Sequence, residues 1–401
     1  MVKIDVIKLN KDYQRRHQVR QVKEKFDKVI DRFKDSEYIE EFKKCVQCGY
    51  CRNTSAAYHI HKKESESHPG KMFIIKNFMK KDNKKMILDT VYHMTLAGYA
   101  ENVCPAGIRH EFAWNELRKD FYSLAKETYP KLKEALENLN DPEKNNIFGK
   151  KKSTKFNWMS EIEHRRSDFL YYVGSNDLLN NRDRVRRMLW ILNKFSIPYT
   201  ISKFETDSGY IAKLAGDQDT EEKCAKRLKD LVGDLLFKKI IVSCPFEFRR
   251  LRDIFDDEHV EVIHIMEIIS NKLKILGSKK VRHIKARCAY LDNFYLSEYY
   301  PSSMPREILR NIGCDIVEKS HSKQESFSSG AGDCFELVFP YDAEQIAKIH
   351  LKEAQDAKAE YLVTSDSFAQ KLLSDTAKKT KSKVKVIDLS ALVVKAIKWA
   401  V

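Results

Sequence analysis

Glycine and proline are scarce in this chain of 401 residues, which has 13 and 9 copies of them. Collagen-like and low-complexity proteins need one or both in abundance, so the composition excludes those classes. Long apolar runs are missing too: the N-terminal residues show no signal-peptide pattern, and no stretch approaches the ~20 apolar residues that span a bilayer. The C-terminal run ALVVKAIKWAV is short, carries two lysines and predicts a final core helix.

Cysteine is also sparse. The chain has nine cysteines, an odd number and a small share of its residues. It is therefore not a disulfide scaffold of the kind found in small secreted proteins. We therefore expect a soluble intracellular protein with reduced thiols, in which the positions of the cysteines matter more than their number.

The chain does have a large apolar share and an excess of basic residues. Apolar residues make up 42% of it, enough for a sizeable core and for two or three domains of ~150 residues each. Because 73 Lys and Arg stand against 58 Asp and Glu, the formal net charge is +15. This excess favours an acidic partner, an anionic membrane or nucleic acid. No nucleic-acid-binding motif is present, so we do not expect a nucleic-acid partner.

The residue pattern divides the chain into segments. Apolar positions recur at helical spacing through residues 12–44, 71–100 and 109–138, with cysteines at the breaks. Residues 141–165 are polar and predict a linker. Beyond them, short apolar runs at 169–173, 240–242, 260–263 and 361–363 alternate with amphipathic segments, which is typical of parallel sheets. Three blocks there recur at an offset of 121 residues, which indicates two related α/β lobes.

The most informative motif is a C-x2-C-x2-C run at Cys45, Cys48 and Cys51. Two-residue spacing lets three thiolates reach one face of a cubane iron–sulfur cluster, and the fourth ligand is typically a cysteine followed by proline. Cys104 is followed by Pro105 and supplies that ligand. Zinc is the competing metal, although zinc sites more often use two separated C-x2-C pairs.

A second, incomplete copy of the motif ends at Cys104. Two-cluster ferredoxins repeat C-x2-C-x2-C-x3-C-P, and each fourth cysteine binds the other cluster. The positions of the second ligand set hold no thiol in this chain: Met94, Ala97, Ala100 and Ser55. The first set is complete. We therefore predict one vacated site and one [4Fe–4S] cluster, whose iron is bound by Cys45, Cys48, Cys51 and Cys104.

With CVQCGYC at 45–51 and AENVCPAGI at 100–108, the chain resembles the iron–sulfur subunits of the heterodisulfide reductase and glycolate oxidase family. The resemblance covers most of the chain from the first cysteine motif onward. It implies an α-helical ferredoxin-like domain (1–140), a linker (141–165) and two pseudo-symmetric α/β lobes with parallel sheets (166–275 and 276–401). It also implies a Cys-Cys-Gly motif in each lobe, where the family binds noncubane clusters or forms a disulfide-reducing site.

The lobes depart from that pattern at most cysteine positions. Serine, a carboxylic acid or, once, phenylalanine stands at the expected positions, within Gly174-Ser175, Asp207-Ser208-Gly209, Glu247, Ser328-Ser329-Gly330 and Ser365-Asp366-Ser367-Phe368. Only Cys244 and Cys288 remain. We therefore expect both Cys-Cys-Gly-like lobes to be degenerate and to hold no cluster.

The other cysteines and the histidines give weaker signals. Cysteines at no family position are predicted to be small buried side chains: Cys224, Cys314 and Cys334. His59, His61 and His68 could bind a second metal, but no cysteine or carboxylate pattern completes a site. His93 lies beside the vacated position and is predicted to pack or cap.

The resemblance implies a function in electron transfer. We expect an iron–sulfur subunit of a heterodisulfide reductase-like oxidoreductase complex, which relays electrons through one [4Fe–4S] cluster and has no catalytic site. Its implied partners are other redox subunits, flavoproteins or iron–sulfur proteins. The expected location is cytoplasmic, with peripheral contact at the inner face of the membrane.

Two alternatives to the relay stay open. In the first, the chain is a structural or assembly subunit, the cluster is a staple and the degenerate lobes dock partners. In the second, the chain is an enzyme that uses Cys244 and Cys288.

Overall fold

The computed structural model describes residue 24 and residues 27–33, 36–78, 84–96, 98–151, 157–158, 167–234, 236–256, 259–277 and 281–397. Residues 27–140, the helical part, contain a helical segment at 27–33 followed by α1 (Ile39–Lys43), α2 (Ala56–His61), α3 (His68–Phe78), α4 (Lys84–Tyr92), α5 (Tyr99–Val103), α6 (His110–Thr128) and α7 (Pro130–Asn140). Short 3-10 turns lie at Tyr50–Thr54 and Glu64–Glu66. The apolar faces of these helices meet in a core where Phe42, Trp114 and Leu117 have no exposed surface.

The first lobe contains a parallel sheet in the order β1-β2-β3. Its strands are β1 (Phe169–Tyr172), β2 (Lys239–Val242) and β3 (Glu261–His264), and its helices are α8 (Ser175–Asn180), α9 (Arg182–Lys194), α10 (Tyr210–Ala215), α11 (Gln218–Asp234), α12 (Pro245–Ile254) and α13 (Ile265–Leu276). The last three residues of every strand are buried, as expected for a parallel sheet covered on both faces. Thr200 adds one parallel bridge to Leu170.

The second lobe contains a four-stranded parallel sheet in the order β5-β4-β6-β7. Its strands are β4 (Arg287–Tyr290), β5 (Asp315–Ile316), β6 (Tyr361–Thr364) and β7 (Lys385–Asp388). Its helices are α14 (Phe294–Ser297), α15 (Ser303–Asn311), α16 (Cys334–Val338), α17 (Pro340–Asp356), α18 (Ser367–Thr380) and α19 (Leu389–Ile397), with a 3-10 turn at Lys323–Glu325. A buried Asp366 side chain caps the N-terminus of α18.

The elements of the two lobes follow one another in a corresponding order. Each lobe begins with a strand, two helices and a segment that pairs in parallel with that first strand. A short helix and a 17-residue helix follow, and the lobe ends with a strand, a helix, a second strand and a final helix. Thr200 pairs with β1 in the first lobe, and β5 pairs with β4 in the second. The parallel sheets agree with the expected fold class, whereas duplication of the lobes stays a prediction.

The helical part shares its apolar core with both lobes. Trp114 of α6 belongs to the same buried cluster as Tyr210 and Phe246 of the first lobe and Phe294 and Phe368 of the second. Apolar burial is the dominant stabilising contribution to folding. The three parts are therefore packed on one another rather than joined only by chain.

The described portion of the predicted linker, residues 141–151, is ordered against the first lobe. The side-chain oxygen of buried Asn145 accepts a 3.0 Å hydrogen bond from the backbone of Asp207. Lys150 donates a 3.2 Å bond to the carbonyl of Leu179. Most of the remaining predicted linker lies outside the described residues, and the domain boundaries stay predictions.

A buried arginine, Arg184 of α9, fastens the two sheets together. Its Nε donates to Asp388 at 2.8 Å, and its terminal nitrogens donate to the carbonyls of Ser243 and Ser365 at 2.7 and 2.9 Å. The remaining donors reach Asp177 and the Ser243 hydroxyl. All five guanidinium N–H groups are thus bonded. Because Ser243 follows β2 and Ser365 follows β6, one side chain joins both sheets at the carboxyl ends of their strands.

Within the described residues, the helical periodicity and the four predicted apolar runs match helices and strands, but sequence analysis missed β4, β5 and β7. Residues 12–23 of the first predicted helical stretch lie outside the described part. The C-terminal run forms α19, which buries Leu392 and Val393 as a core helix. Residues 398–401 lie outside the described part. Within the described ranges, no helix combines the length and apolar character that a membrane crossing requires.

Arg184→Met should destabilise the protein by about 3–5 kcal/mol, because it leaves the buried Asp177 and Asp388 carboxylates without their cation. Chemical denaturation of both variants and the parent measures this. The matched control is Arg186→Met on the same helix, where an exposed pair with Asp183 should contribute less than about 1 kcal/mol. Equal losses in the two variants would contradict the assigned role of Arg184.

Candidate metal centre

The four cysteines of the complete set are brought together in the helical part. Cys45 lies just after α1, Cys48 and Cys51 lie in the following loop and 3-10 turn, and Cys104 directly follows α5. The 3-10 turn packs against α5, which carries Cys104 toward the other three. Cys51 is buried, Cys45 and Cys104 are half-buried, and Cys48 is exposed.

The loop between Cys45 and Cys51 turns sharply through two left-handed residues. Gln47 has φ 60° and Gly49 has φ 82°. Glycine adopts this region freely, whereas Gln47 does so at a cost that its surroundings must offset. The Gln47 amide donates a hydrogen bond to the Cys45 sulfur at 3.3 Å, and Lys76 donates to the Cys45 carbonyl at 3.2 Å. These contacts order the loop and bring a donor to one of the sulfurs.

An ion pair joins the two segments that carry the thiols. Glu41, which is 3% exposed, precedes Cys45, and its carboxylate accepts bonds from the backbone and the guanidinium of Arg109, beyond Cys104, at 3.0 and 2.9 Å. Burial alone would raise the pKa of Glu41, but the hydrogen bonds from Arg109 and Lys44 lower it below its usual value. The carboxylate is therefore charged and holds the segments together.

The electrostatics of this thiol group suit a cationic metal centre. Burial, together with the neighbouring charges of Cys104, Cys45 and Cys48, raises the pKa of Cys51 to about 12. Neighbouring thiolates repel one another unless a cation lies between them, and a metal-bound thiol is deprotonated. The donor set is all sulfur, which is what iron–sulfur clusters require. The residues present therefore fit the expected cluster.

The vacated ligand set is occupied by other interactions. Ser55 caps α2 and donates its hydroxyl proton to the Glu66 carbonyl at 2.8 Å. Met94 and Ala100 are each 2% exposed. Ala97 lies outside the described residues.

The cysteine-replacing residues of the first lobe lie in a buried polar region. Asp207, Ser208 and Glu247 are almost fully buried, and Asp207 accepts a bond from the backbone of Gly209. Burial, reinforced by Asp207, raises the pKa of Glu247 well above its usual range. This lobe therefore presents oxygen atoms at positions where the resemblance implied cysteine sulfur.

The corresponding residues of the second lobe bond to their own backbone. The hydroxyls of Ser328 and Ser329 accept from the backbone of Gly330 and Ala331 at 3.1 and 3.3 Å. Asp366 accepts from two backbone groups at the start of α18. Such contacts make tight polar turns without a ligand.

Aromatic rings fill the space where the lobes meet the helical part. A Cβ atom added to Gly332 would lie 2.2 Å from a ring carbon of Phe246, and one added to Gly98 would lie 2.0 Å from the ring of Phe294. Both glycines have positive φ. The ring of Tyr295 lies between these two phenylalanines, with centroids 5.4 and 5.8 Å away. Phe246 thus contacts Gly332 directly, and Phe294 contacts Gly98.

The two remaining lobe cysteines are in different surroundings. Cys244 belongs to the core shared with the helical part, and burial raises its pKa well above the usual range. Cys288 lies in the core between the two sheets, where its thiol donates a 3.7 Å hydrogen bond to the Ala286 carbonyl and the nearby Cys314 raises its pKa. The Cys288–Cys314 contact was not predicted. Cys224, Cys314 and Cys334 are buried, as predicted.

The structure does not bring His59, His61 and His68, the three histidines considered for a second metal, together in one site. His59 stacks on Phe327 with centroids 4.4 Å apart, and His68 is buried beside His110. His61 instead lies near His93 and Asp342. Sequence reasoning missed Asp342 because nothing in the local pattern links it to residues so far away in the chain.

The comparisons with known proteins agree with the motif. No protein-family model matches the chain. It is similar to a subunit of the dihydromethanophenazine:CoB–CoM heterodisulfide reductase of Methanosarcina barkeri, with 24% identity over 323 residues, 77% of this chain and 78% of that protein. It is also similar to a probable membrane-anchored ferredoxin of Chromohalobacter salexigens, with 24% identity over 293 residues. A third relative is an EtfAB:quinone oxidoreductase of Syntrophomonas wolfei, 22% identical over 250 residues.

These relatives confirm the resemblance to heterodisulfide reductase iron–sulfur subunits, and the chain is a homologue of redox electron-transfer proteins. The match covers 69% of this chain but 43% of the ferredoxin, and 57% of this chain but 34% of the quinone oxidoreductase. A solved aspartate racemase homologue from Pyrococcus horikoshii overlaps 56% of this chain and 95% of its own, with 12% identity and a TM-score of 0.27. That score is too low to carry an argument.

Gly332→Ala should destabilise the protein by about 1–3 kcal/mol more than a control glycine variant, because the added methyl group collides with Phe246. The control is Gly277→Ala, which has a similar φ of 73° and no atom within 4 Å of its added Cβ. Urea unfolding of both variants measures the difference. If the two variants lose the same stability, the close approach of Phe246 is not what restricts this position.

Cys104→Ser should lose most of the sulfur-to-iron charge-transfer absorbance after anaerobic purification, because it removes one of four thiolate ligands. Ser55→Ala should keep that absorbance and lose only about 1 kcal/mol of stability, since the Ser55 hydroxyl caps a helix. Loss of the absorbance in Ser55→Ala, or its retention in Cys104→Ser, would contradict the ligand assignment.

Proposed function

We propose that the chain is an iron–sulfur electron-transfer subunit of a heterodisulfide reductase-like oxidoreductase complex. The observation that carries the proposal is the convergence of four thiols, Cys45, Cys48, Cys51 and Cys104, in a partly buried loop region. These residues would hold one [4Fe–4S] cluster, which supplies a one-electron redox centre when bound. The chain's own contribution is to order the thiols through the Glu41–Arg109 pair and to shield one side of them from water.

The lobes are proposed to bind no cluster. The family positions hold serine and carboxylic acids, the serines of the second lobe bond to local backbone, and Phe246 and Phe294 lie against the facing glycines. Loss of most thiolates removes the ligands that iron–sulfur clusters need. The catalysis of disulfide reduction known for the family is therefore not proposed for this chain.

An exposed face beside the thiols suits contact with a redox partner. Cys48 is exposed, and the neighbouring Val46 and Tyr50 are 72% and 73% exposed. Exposed basic side chains of Lys43 and Arg52 lie in the same segments, where they pair with Glu40 and Glu64. Large exposed apolar side chains often mark interfaces, and nearby basic groups favour approach of an acidic surface. We propose this face as the point at which electrons enter or leave.

The proposed partners are other redox subunits, flavoproteins or iron–sulfur proteins. Support comes from the relatives, one of which is named as a subunit of a heterodisulfide reductase and another as an EtfAB:quinone oxidoreductase. A cytoplasmic location with peripheral membrane contact is part of the proposal, because one relative is named a membrane-anchored ferredoxin. The proposed architecture is a ferredoxin-like helical domain followed by two duplicated lobes, supported by their corresponding element order.

A second candidate function is structural. The helical part shares one buried core with both lobes, and the thiol-bearing segments are held by buried interactions. In that case the cluster would act as a staple, and the lobes would dock other subunits. The electron-transfer proposal is preferred because exposed Cys48 leaves one edge of the thiol group open to a partner.

Redox titration of anaerobically purified protein, followed by electron paramagnetic resonance, separates these functions. The relay proposal expects reversible one-electron reduction within the range of biological clusters, about −700 to +450 mV. The double variant Cys244→Ser/Cys288→Ser should titrate identically, because neither thiol belongs to the proposed ligand set.

A cluster that cannot be reduced reversibly in that range would favour the staple and contradict the relay. A changed potential in the double variant would instead give the lobe cysteines a redox role.

A further inference from the structure

Three side chains from distant parts of the chain converge beside the vacated ligand set. His61 lies in the last turn of α2, His93 directly follows α4, and Asp342 lies in the first turn of α17 in the second lobe. The Nε2 atoms of His93 and His61 lie 2.7 and 3.3 Å from the same carboxylate oxygen of Asp342. The three donor atoms all lie within 4.8 Å of one another.

A second carboxylate orients one of these rings. Nδ1 of His93 lies 2.8 Å from Glu66, which is itself 3.3 Å from buried Lys71. The Lys71 side chain is almost fully buried, so Glu66 lies between this ammonium group and the His93 ring. A charged acceptor at Nδ1 keeps the proton on that nitrogen and turns Nε2 toward Asp342. Carboxylate–histidine–metal arrangements have this geometry.

Packing restrains the same ring. The His93 imidazole stacks on Phe335 with centroids 5.1 Å apart and contacts Phe339 edge-on at 4.5 Å. His93 is 9% exposed at its side chain and Asp342 is 14% exposed, whereas His61 is 33% exposed. Two donors are thus held in place, and the third is accessible from solvent, which leaves a path for a small ion.

We propose that His61, His93 and Asp342 bind one divalent zinc ion, through two imidazole nitrogens and one carboxylate oxygen. Zinc accepts this donor combination, and three protein ligands leave a fourth position for water. Glu66 and Lys71 form an ion pair, and their opposite charges offset each other. The net negative charge that faces the ion therefore comes from Asp342. Zinc binds an imidazole nitrogen that carries no proton, so any proton on either Nε2 atom is released to solvent when the ion binds.

The ion would join the helical part to the second lobe. His61 follows the cysteine loop closely, and Asp342 begins a long helix of the second lobe. This site is independent of the thiol group, since none of its ligands is a cysteine. It would place a non-redox metal next to the positions from which one ligand set has been lost.

Cobalt titration of the full chain tests the site, with the iron–sulfur centre kept in its diamagnetic oxidised form. Co²⁺ is a paramagnetic substitute for Zn²⁺, so its electron paramagnetic resonance signal reports binding directly. We expect one saturable Co²⁺ per chain, without a thiolate-to-cobalt charge-transfer band, and displacement of Co²⁺ by added Zn²⁺. His61→Ala and Asp342→Asn should each weaken binding at least about 10-fold.

The matched control is His259→Ala, an exposed histidine in the loop before β3, which should bind Co²⁺ like the parent. Both ligand variants replace partly accessible side chains, and circular dichroism establishes that each is folded. Absence of saturable binding, binding through thiolates, or unchanged affinity in the folded His61→Ala variant would each overturn the proposal.

Discussion

The buried guanidinium of Arg184 determines how the two sheets meet, and the rest of the structure depends on that junction. A buried charge is costly unless every donor is bonded, and here all five N–H groups have acceptors on both lobes. Because the acceptors lie at the carboxyl ends of β2, β6 and β7, the loops that follow those strands are brought to one place.

The helices that follow β2, β4 and β6 carry, in their first turns, aromatic side chains that belong to the core shared with the helical part. Phe246 and Phe368 each follow shortly after a serine carbonyl that Arg184 binds, and their ring centroids lie 6.0 Å apart. Phe294 follows β4 and contacts Tyr99 of α5 at 5.5 Å. Since Cys104 directly follows α5, the position of one thiol depends on packing that begins at the lobe junction. Lobes without the expected cysteines can therefore still support the helical part that holds the four thiols.

Local patterns predicted much of this arrangement, and long-range contacts did not follow from them. The spacing of Cys45, Cys48 and Cys51 identified the thiol loop because metal ligation imposes a local period. Apolar runs predicted β1, β2, β3 and β6. β7 was missed because its apolar run is only Val386 and Ile387, and β4 because its short run contains Ala289, which is depleted in strands. β5 was missed because it has only two residues. Neither the Glu41–Arg109 pair nor Asp342 beside His61 and His93 has a local signature, since each partner is placed by the tertiary fold.

The central claim is that one complete set of four cysteines binds a single cluster, and that the two lobes, which lack most of the expected cysteines, bind none. The most direct test is the iron and acid-labile sulfide content of the full-length protein after anaerobic purification. The account predicts about four irons and four sulfides per chain, as for one cubane cluster. About eight irons per chain, or a thiol-bound zinc in place of iron, would contradict it.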